Sequence, residues 1–223
     1  MHPRKRIGPV CAIAGALALF IGTWMHPMNA DPNVPLAAFT EYAGSTGWVT
    51  GHLMQLFGVM LMTAALVLLL RRLSDGPAAE YAALANAGAV AGLGAAAALQ
   101  AVDGVALKVM VDNWAAASPA DQQMFFRSAV AVREIEIGLA SVTSMLFGAT
   151  VSLYGVAVWI DSRFPRWIAL GSWAGGLLTA LAGVAIAYAG FSNLEMNLNM
   201  PGGSLLILLM VSIGIYGLRN SIF

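Results

Sequence analysis

The stretch from Trp48 to Arg72 constrains the fold of this chain more than any other part of its sequence. From Trp48 through Leu70 it holds no acidic or basic side chain except His52, and Arg71 and Arg72 close it. About 20 apolar residues are enough for a helix to cross the hydrocarbon core of a bilayer. The whole chain agrees, because 59% of its 223 residues are hydrophobic and 10% are charged, against about 25% in soluble domains. The sequence therefore predicts an integral membrane protein.

Five further apolar runs have the composition of membrane helices. Together with the first they predict one all-α domain, an integral membrane bundle of six transmembrane helices. The predicted spans are 7–25, 48–70, 81–102, 135–160, 167–189 and 204–218. Residues 191–203 are predicted to be a loop, and residues 36–43 a short helix opened by Pro35. The basic start could alternatively belong to a cleaved secretory signal, although its apolar run is long for one.

The pattern between the third and fourth spans is helical well beyond the length that a bilayer needs. Ser118 and Pro119 form a good helix start. A helix from there to Ile160 would be about 63 Å long at 1.5 Å per residue. The sequence therefore predicts an extended outer hairpin between helices 3 and 4, with its tip near residues 113–118.

Basic residues concentrate on the side of the membrane that holds both termini. That side carries eight of the 11 basic residues: Arg4, Lys5, Arg6, Arg71, Arg72, Arg163, Arg166 and Arg219. By the positive-inside rule, the N- and C-termini are predicted to be cytoplasmic, in a bacterial inner (plasma) membrane. The outer side has an excess of acidic residues, which would attract cations or simply form a solvated rim.

Five ionisable side chains from four predicted helices should lie at a similar depth in the outer half of the bundle. They are His26, His52, Asp103, Glu134 and Glu136. Imidazoles and carboxylates are common ligands of transition metals, and such a pair can also act as acid and base. The structural alternatives are a hydrogen bond from His52 to Gln55 or to a neighbouring helix, and an ion pair between Arg133 and Glu136, three residues apart.

Two cofactor hypotheses compete with a simple metal site. His26 and His52 could be the axial ligands of a haem b, with Gln55 nearby and small residues making room for the macrocycle. The chain also has 12 methionines, with clusters at residues 25–28 and 196–200. Thioethers and imidazole suit copper(I), whereas methionine also simply fills irregular gaps between helices.

Short motifs in the first two spans resemble those of a loose group of small bacterial membrane proteins with six predicted helices and no established activity. The likeness is carried by His26-Pro27, Trp48-x-x-x-His52-x-x-Gln55 and Arg71-Arg72. The resemblance implies the six-helix architecture and supplies no mechanism.

The sequence thus favours a small bacterial membrane protein with a polar ligand or cofactor site in the outer half of the bundle. A redox role through a metal or haem is the preferred version, and whether the protein is an enzyme stays open. One alternative is an accessory or structural subunit that docks through the small-residue faces of helices 3 and 5. Copper handling and small-solute transport are others. Expected partners are the lipid bilayer and either further membrane subunits or a second copy, and no nucleic acid.

Overall fold

The computed structural model describes residues 6–161 and 163–220, so Arg4 and Lys5 of the predicted basic start lie outside it. The described residues form helices and no strand. The helices are α1 (Ile7–Trp24), α2 (Pro35–Gly44), α3 (Trp48–Leu73), α4 (Ala79–Gln100), α5 (Lys108–Ala116), α6 (Gln122–Ile160), α7 (Arg166–Ala189) and α8 (Asn193–Asn220). A π-helical segment, Ala101–Leu107, joins α4 to α5 without a break.

Six helices are long and apolar enough to cross a membrane: α1, α3, α6, α7, α8 and the continuous helix Ala79–Ala116. Large aromatic side chains are exposed near the helix ends, where membrane proteins place them at the lipid–water interface. Trp24 is 81% exposed at the end of α1, Tyr188 is 90% exposed at the end of α7, and Trp167 is 52% exposed at its start. The predicted all-α fold with six apolar helices is confirmed, and the chain is a multi-pass membrane protein.

The six long helices form a closed ring in which neighbours in sequence are neighbours in space. Contacts link α1 to α3, α3 to α4, α4 to α6, α6 to α7 and α7 to α8, and α8 returns to α1. Buried side chains from all six meet in one apolar core, which includes Leu69, Leu73 and Ile168. The hydroxyl of Tyr154 donates a hydrogen bond of 3.0 Å to the carbonyl of Leu66, which ties α6 to α3 within that core.

Glycine pairs hold α1 against α3 at backbone contact. Gly15 and Gly22 on α1 face Gly58 and Gly51 on α3, and a Cβ atom on residue 22 would lie 2.6 Å from the carbonyl oxygen of Gly51. In lipid, apolar surface alone gives helices little reason to associate, and small residues allow the close approach that does. The contact fixes the end of α1, which lies two residues before His26, beside the start of α3, which carries His52.

Replacing Gly58 by alanine is expected to destabilise the bundle. The added Cβ atom would lie 2.5 Å from the backbone nitrogen of Leu19 and 2.7 Å from the carbonyl oxygen of Gly15. Backbone cannot swing aside, so we expect a loss of about 1–3 kcal/mol in the free energy of unfolding. Gly94→Ala is the matched control, because a Cβ atom there meets nothing within 4 Å. Unfolding midpoints in detergent should fall for the first variant only, and equal midpoints would contradict the prediction.

The structure differs from the sequence prediction most clearly at α8. Residues 193–203 were predicted to be a loop but belong to the helix, which continues through Pro201. Glu195 is buried there, and Gly202 packs closely on Thr179 of α7. Packing against α7 therefore keeps this polar segment helical. We call the side of the bundle that carries α2 and the start of α8 the α2 end.

Candidate metal centre

Three of the predicted site residues converge at the α2 end. His26 lies two residues beyond α1, His52 lies in the first turns of α3, and Asp103 lies in the π-helical segment. One nitrogen from each imidazole and one carboxylate oxygen lie within 4.8 Å of one another. The two ring centroids are 5.1 Å apart, and Nε2 of His52 lies 3.0 Å from Oδ2 of Asp103. Ligand atoms around a tetrahedral zinc ion lie about 3.4 Å apart, so side-chain adjustments of ångström size would complete a site.

Both imidazoles are oriented by the backbone. Nδ1 of His52 lies 2.7 Å from the carbonyl oxygen of Trp48, and Nδ1 of His26 lies 2.8 Å from that of Pro27. A carbonyl oxygen only accepts hydrogen bonds, so each Nδ1 carries the hydrogen and donates it. Each Nε2 therefore keeps its lone pair in the neutral ring. Metal-binding histidines are held in the same way, with the second nitrogen donating to a carbonyl or carboxylate.

His52 and Asp103 share a proton or a metal ion. With Nδ1 of His52 as the donor, Nε2 of a neutral ring is an acceptor, and it faces an acceptor oxygen of the carboxylate at 3.0 Å. Two lone pairs at this distance repel unless a proton or a metal ion is shared between them. The second oxygen of Asp103, Oδ1, is buried and has no hydrogen-bond partner among the described residues. The carboxylate is thus incompletely satisfied within the protein, as expected of a ligand group.

Two aromatic side chains pack against the histidines. Trp48 is 1% exposed, and its ring centroid lies 4.6 Å from that of His52 and 4.7 Å from that of His26. The ring centroid of Tyr42, on α2, lies 4.2 Å from that of Trp48 and 6.2 Å from that of His26. The indole nitrogen of Trp48 donates to the backbone carbonyl of Asp103 at 3.0 Å. Trp48 therefore packs on both imidazoles and ties the π-helical segment to α3.

Burial also favours the neutral form of His26, since it lowers the pKa of this imidazole below 6.5, aided by His52 and opposed by the carboxylate of Asp103. A neutral ring is the form that binds a metal ion. The loop after His26 is held by Glu41, whose carboxylate accepts hydrogen bonds from the Asn29 backbone, the Asn29 side chain and the Ala30 backbone. Although burial raises the pKa of Glu41, these three bonds outweigh it and lower the pKa below 4.5.

A buried ion pair supports the same loop. Nη1 of Arg133 donates to both carboxylate oxygens of Glu136, at 3.0 and 2.7 Å, as the sequence predicted. The guanidinium also donates to the carbonyl of Pro32 at 3.4 Å. Its carbon lies 5.7 Å from the ring centroid of Tyr42 and 4.9 Å from that of Phe191. Arg133 therefore joins α6, α2 and the two loops at the α2 end.

The other predicted site residues have different surroundings. Glu134 is exposed on α6, and Glu136 is committed to Arg133. Gln55 links three helices, because it donates to Thr23 at 3.4 Å and accepts from Gln100 at 3.1 Å. Among the predicted copper ligands, the methionines are at least one-third exposed: Met25, Met28, Met196 and Met200. The sequence prediction included neither Tyr42 nor the packing of Trp48 on the two histidines, because neither residue belongs to a recognisable ligand motif.

The geometry favours a single ion over a haem. Bis-histidine ligation requires one ring on each face of the macrocycle, whereas a carboxylate oxygen of Asp103 lies directly at Nε2 of His52. The chain matches no protein-family model, no curated protein and no solved structure. The candidate site therefore stands on its geometry alone.

Proposed function

We propose that this membrane protein binds one divalent transition-metal ion through Nε2 of His26, Nε2 of His52 and the carboxylate of Asp103. The observation that carries the proposal is the convergence of these three groups within 4.8 Å. The orientation of both rings by backbone carbonyls and the unpaired Oδ1 of Asp103 support it. Two imidazoles and a carboxylate suit zinc, iron and other first-row metals.

Three protein ligands leave at least one coordination position for water or a substrate, which is the arrangement of catalytic rather than structural metal sites. Such an ion would polarise a bound carbonyl or phosphoryl group or activate a water molecule. The redox role expected from the sequence then depends on the metal. Iron would carry electrons, whereas zinc would restrict the site to hydrolytic or Lewis-acid chemistry.

Metal analysis of the purified full-length protein tests the proposal. After treatment with a chelator, the protein in detergent should bind one equivalent of Zn²⁺ or Co²⁺ in calorimetric titration. The Co²⁺ form should show visible d–d bands of a site with nitrogen and oxygen ligands. Absence of stoichiometric binding of Zn²⁺, Co²⁺, Fe²⁺ and Mn²⁺ would reject the proposal. A Soret band that needs His26 and His52 would replace it with the haem hypothesis.

The orientation inferred from the basic residues would place this centre on the outer face of a bacterial inner membrane. It would also make the α5–α6 hairpin the predicted outer hairpin. In a Cys11→Ala background, Ser118→Cys is expected to react with a membrane-impermeant maleimide in intact cells. Ser74→Cys, exposed at the opposite end, should react only after lysis. The reverse labelling pattern would place the centre on the cytoplasmic face.

The alternative of an accessory subunit has less support. The small-residue face of α4 that was expected to dock a partner is buried within this chain: Ala82, Ala85, Ala89, Gly92 and Ala96. On α7, Gly176 and Gly183 pack against the backbone of α6. These faces already serve the closed ring, so they are not free docking surfaces.

A further inference from the structure

The continuous helix Ala79–Ala116 changes its buried face by one residue as it passes the candidate metal centre. On α4 the buried positions follow the helical spacing of three and four residues: Ala82, Ala85, Ala89, Gly92 and Ala96. Continued without interruption, this spacing reaches Leu99, which is half-buried, and would then bury positions 103, 106, 110 and 113. The buried residues are instead each one position later: Gly104, Leu107, Val111 and Trp114.

The extra residue is taken up by the π-helical segment, whose hydrogen bonds join residues i and i+5. This wider turn lets two consecutive residues face the same neighbour. Asp103 meets Nε2 of His52 at 3.0 Å, while a Cβ atom on Gly104 would lie 2.5 Å from Cβ of the same histidine. On a regular α-helix, adjacent side chains point about 100° apart, so one of these two contacts would be lost. π-Helical turns within α-helices are frequent at functional sites.

We propose that the π-helical turn is a positioning device that adds one residue to the helix so that the carboxylate of Asp103 reaches His52 beside the close-packed Gly104. Its effect on metal affinity rests on the proposed function, whereas the contact between Asp103 and His52 does not. Trp48 fixes the same turn from α3 through its hydrogen bond to the Asp103 carbonyl. The packed faces of α4 and α5 do not need the extra residue, because removing it restores an unbroken spacing of three and four.

Two single-residue deletions in the full-length protein separate the positioning role from general damage. Ala101 and Val105 are both exposed residues of the turn, and deleting either should give a regular α-helix. Deleting Ala101, before the carboxylate, leaves Gly104 at the inward position and turns Asp103 away, so the close packing is kept and the carboxylate contact is lost. Deleting Val105, after it, moves Asp103 into the inward place of Gly104, where a Cβ atom would lie 2.5 Å from Cβ of His52, so the carboxylate stays beside His52 and the close packing is lost.

Deletion of Ala101 is expected to lower Zn²⁺ affinity by about tenfold or more, as is expected of Asp103→Ala, with an unfolding midpoint close to that of the natural chain. Deletion of Val105 is expected to lower the unfolding midpoint, because Asp103 then crowds Cβ of His52, and to keep more of the Zn²⁺ affinity. A further readout needs no metal: the ring ¹⁵N resonances of His52, assigned by single histidine substitutions, report its contact with Asp103. They should shift toward those of Asp103→Asn on deletion of Ala101 and not on deletion of Val105.

Several outcomes would overturn the positioning role. These are equal affinities and resonances in the two deletion variants, and loss of folding in both, because the packed faces would then depend on the turn. If the natural chain binds no metal but the resonances still separate the two deletions, the metal proposal fails and the positioning role stands. If the natural chain binds metal but neither readout distinguishes the two deletion variants, the positioning role fails and the metal proposal stands.

Discussion

Replacing His52 with alanine is expected to lower the affinity for Zn²⁺ by about a hundredfold or more while the bundle still assembles. The imidazole supplies one of three ligands, and loss even of an outer-shell partner of a metal ligand typically costs about 10- to 100-fold. The substitution also leaves the Asp103 carboxylate without its hydrogen-bond partner. Because His52 is 2% exposed, some loss of stability should accompany the loss of affinity.

Matched variants distinguish a ligand from a residue that only supports the fold. Glu134→Ala removes an exposed carboxylate and should leave both affinity and stability unchanged. Gln55→Ala removes hydrogen bonds to Thr23 and Gln100, so it should lower stability by about 1 kcal/mol and leave affinity nearly unchanged. Calorimetric titration and unfolding midpoints measure the two effects separately. Natural affinity in His52→Ala, or a loss in Glu134→Ala equal to that in His52→Ala, would remove the basis of the metal site.

Arg133→Met should be among the most destabilising single substitutions in this chain. It leaves the carboxylate of Glu136 buried without its ion-pair partner, and Glu136 is 2% exposed. Removing one member of a buried pair typically costs about 3–5 kcal/mol. The variant also loses the contacts of the guanidinium with Pro32, Tyr42 and Phe191, so the loop that follows His26 should loosen and metal affinity should fall as well.

The double variant Arg133→Met/Glu136→Leu is the control for this prediction. Replacing both members with apolar residues of similar size removes the uncompensated charge, and such replacements are often close to neutral. The double variant should therefore recover much of the unfolding free energy lost in Arg133→Met. It should not recover the loop contacts, so metal affinity should stay lowered. A single variant as stable as the natural chain would show that the ion pair does not hold the α2 end together.

The membrane helices could be predicted from the sequence because hydropathy and charge act locally along the chain. The pair Arg133 and Glu136 could also be predicted, since three residues on one helix bring two side chains together whatever the tertiary fold. The helical start of α8 could not be predicted in this way, because it depends on tertiary contacts rather than on local sequence. Its first turns are polar and contain Pro201, so local preference is against a helix, whereas Gly202 packs closely on α7. Local preference therefore gave a loop where tertiary contacts give a helix.

The site was only partly predictable for a similar reason. His26 and His52 were expected at one depth, yet their separation depends on the glycine contacts between α1 and α3, which a sequence shows only as scattered small residues. The direction in which the Asp103 side chain points depends on the π-helical turn. One sequence signal does point to that turn: the small residues of α4 follow a spacing of three and four up to Ala96, and the next inward residue, Gly104, comes one position late.

The closed ring has a consequence for the order in which this protein assembles. Most of its helix pairs are adjacent in sequence and can form soon after synthesis, because loop closure over short separations costs little entropy. The seam between α1 and α8, where Gly214 meets Pro9 and Ile13, joins two helices that are far apart in sequence. It can form only after α8 has been synthesised. The residues His26, His52 and Asp103 all precede α6. The three proposed ligands are therefore synthesised, and can come together, before α8 closes the ring.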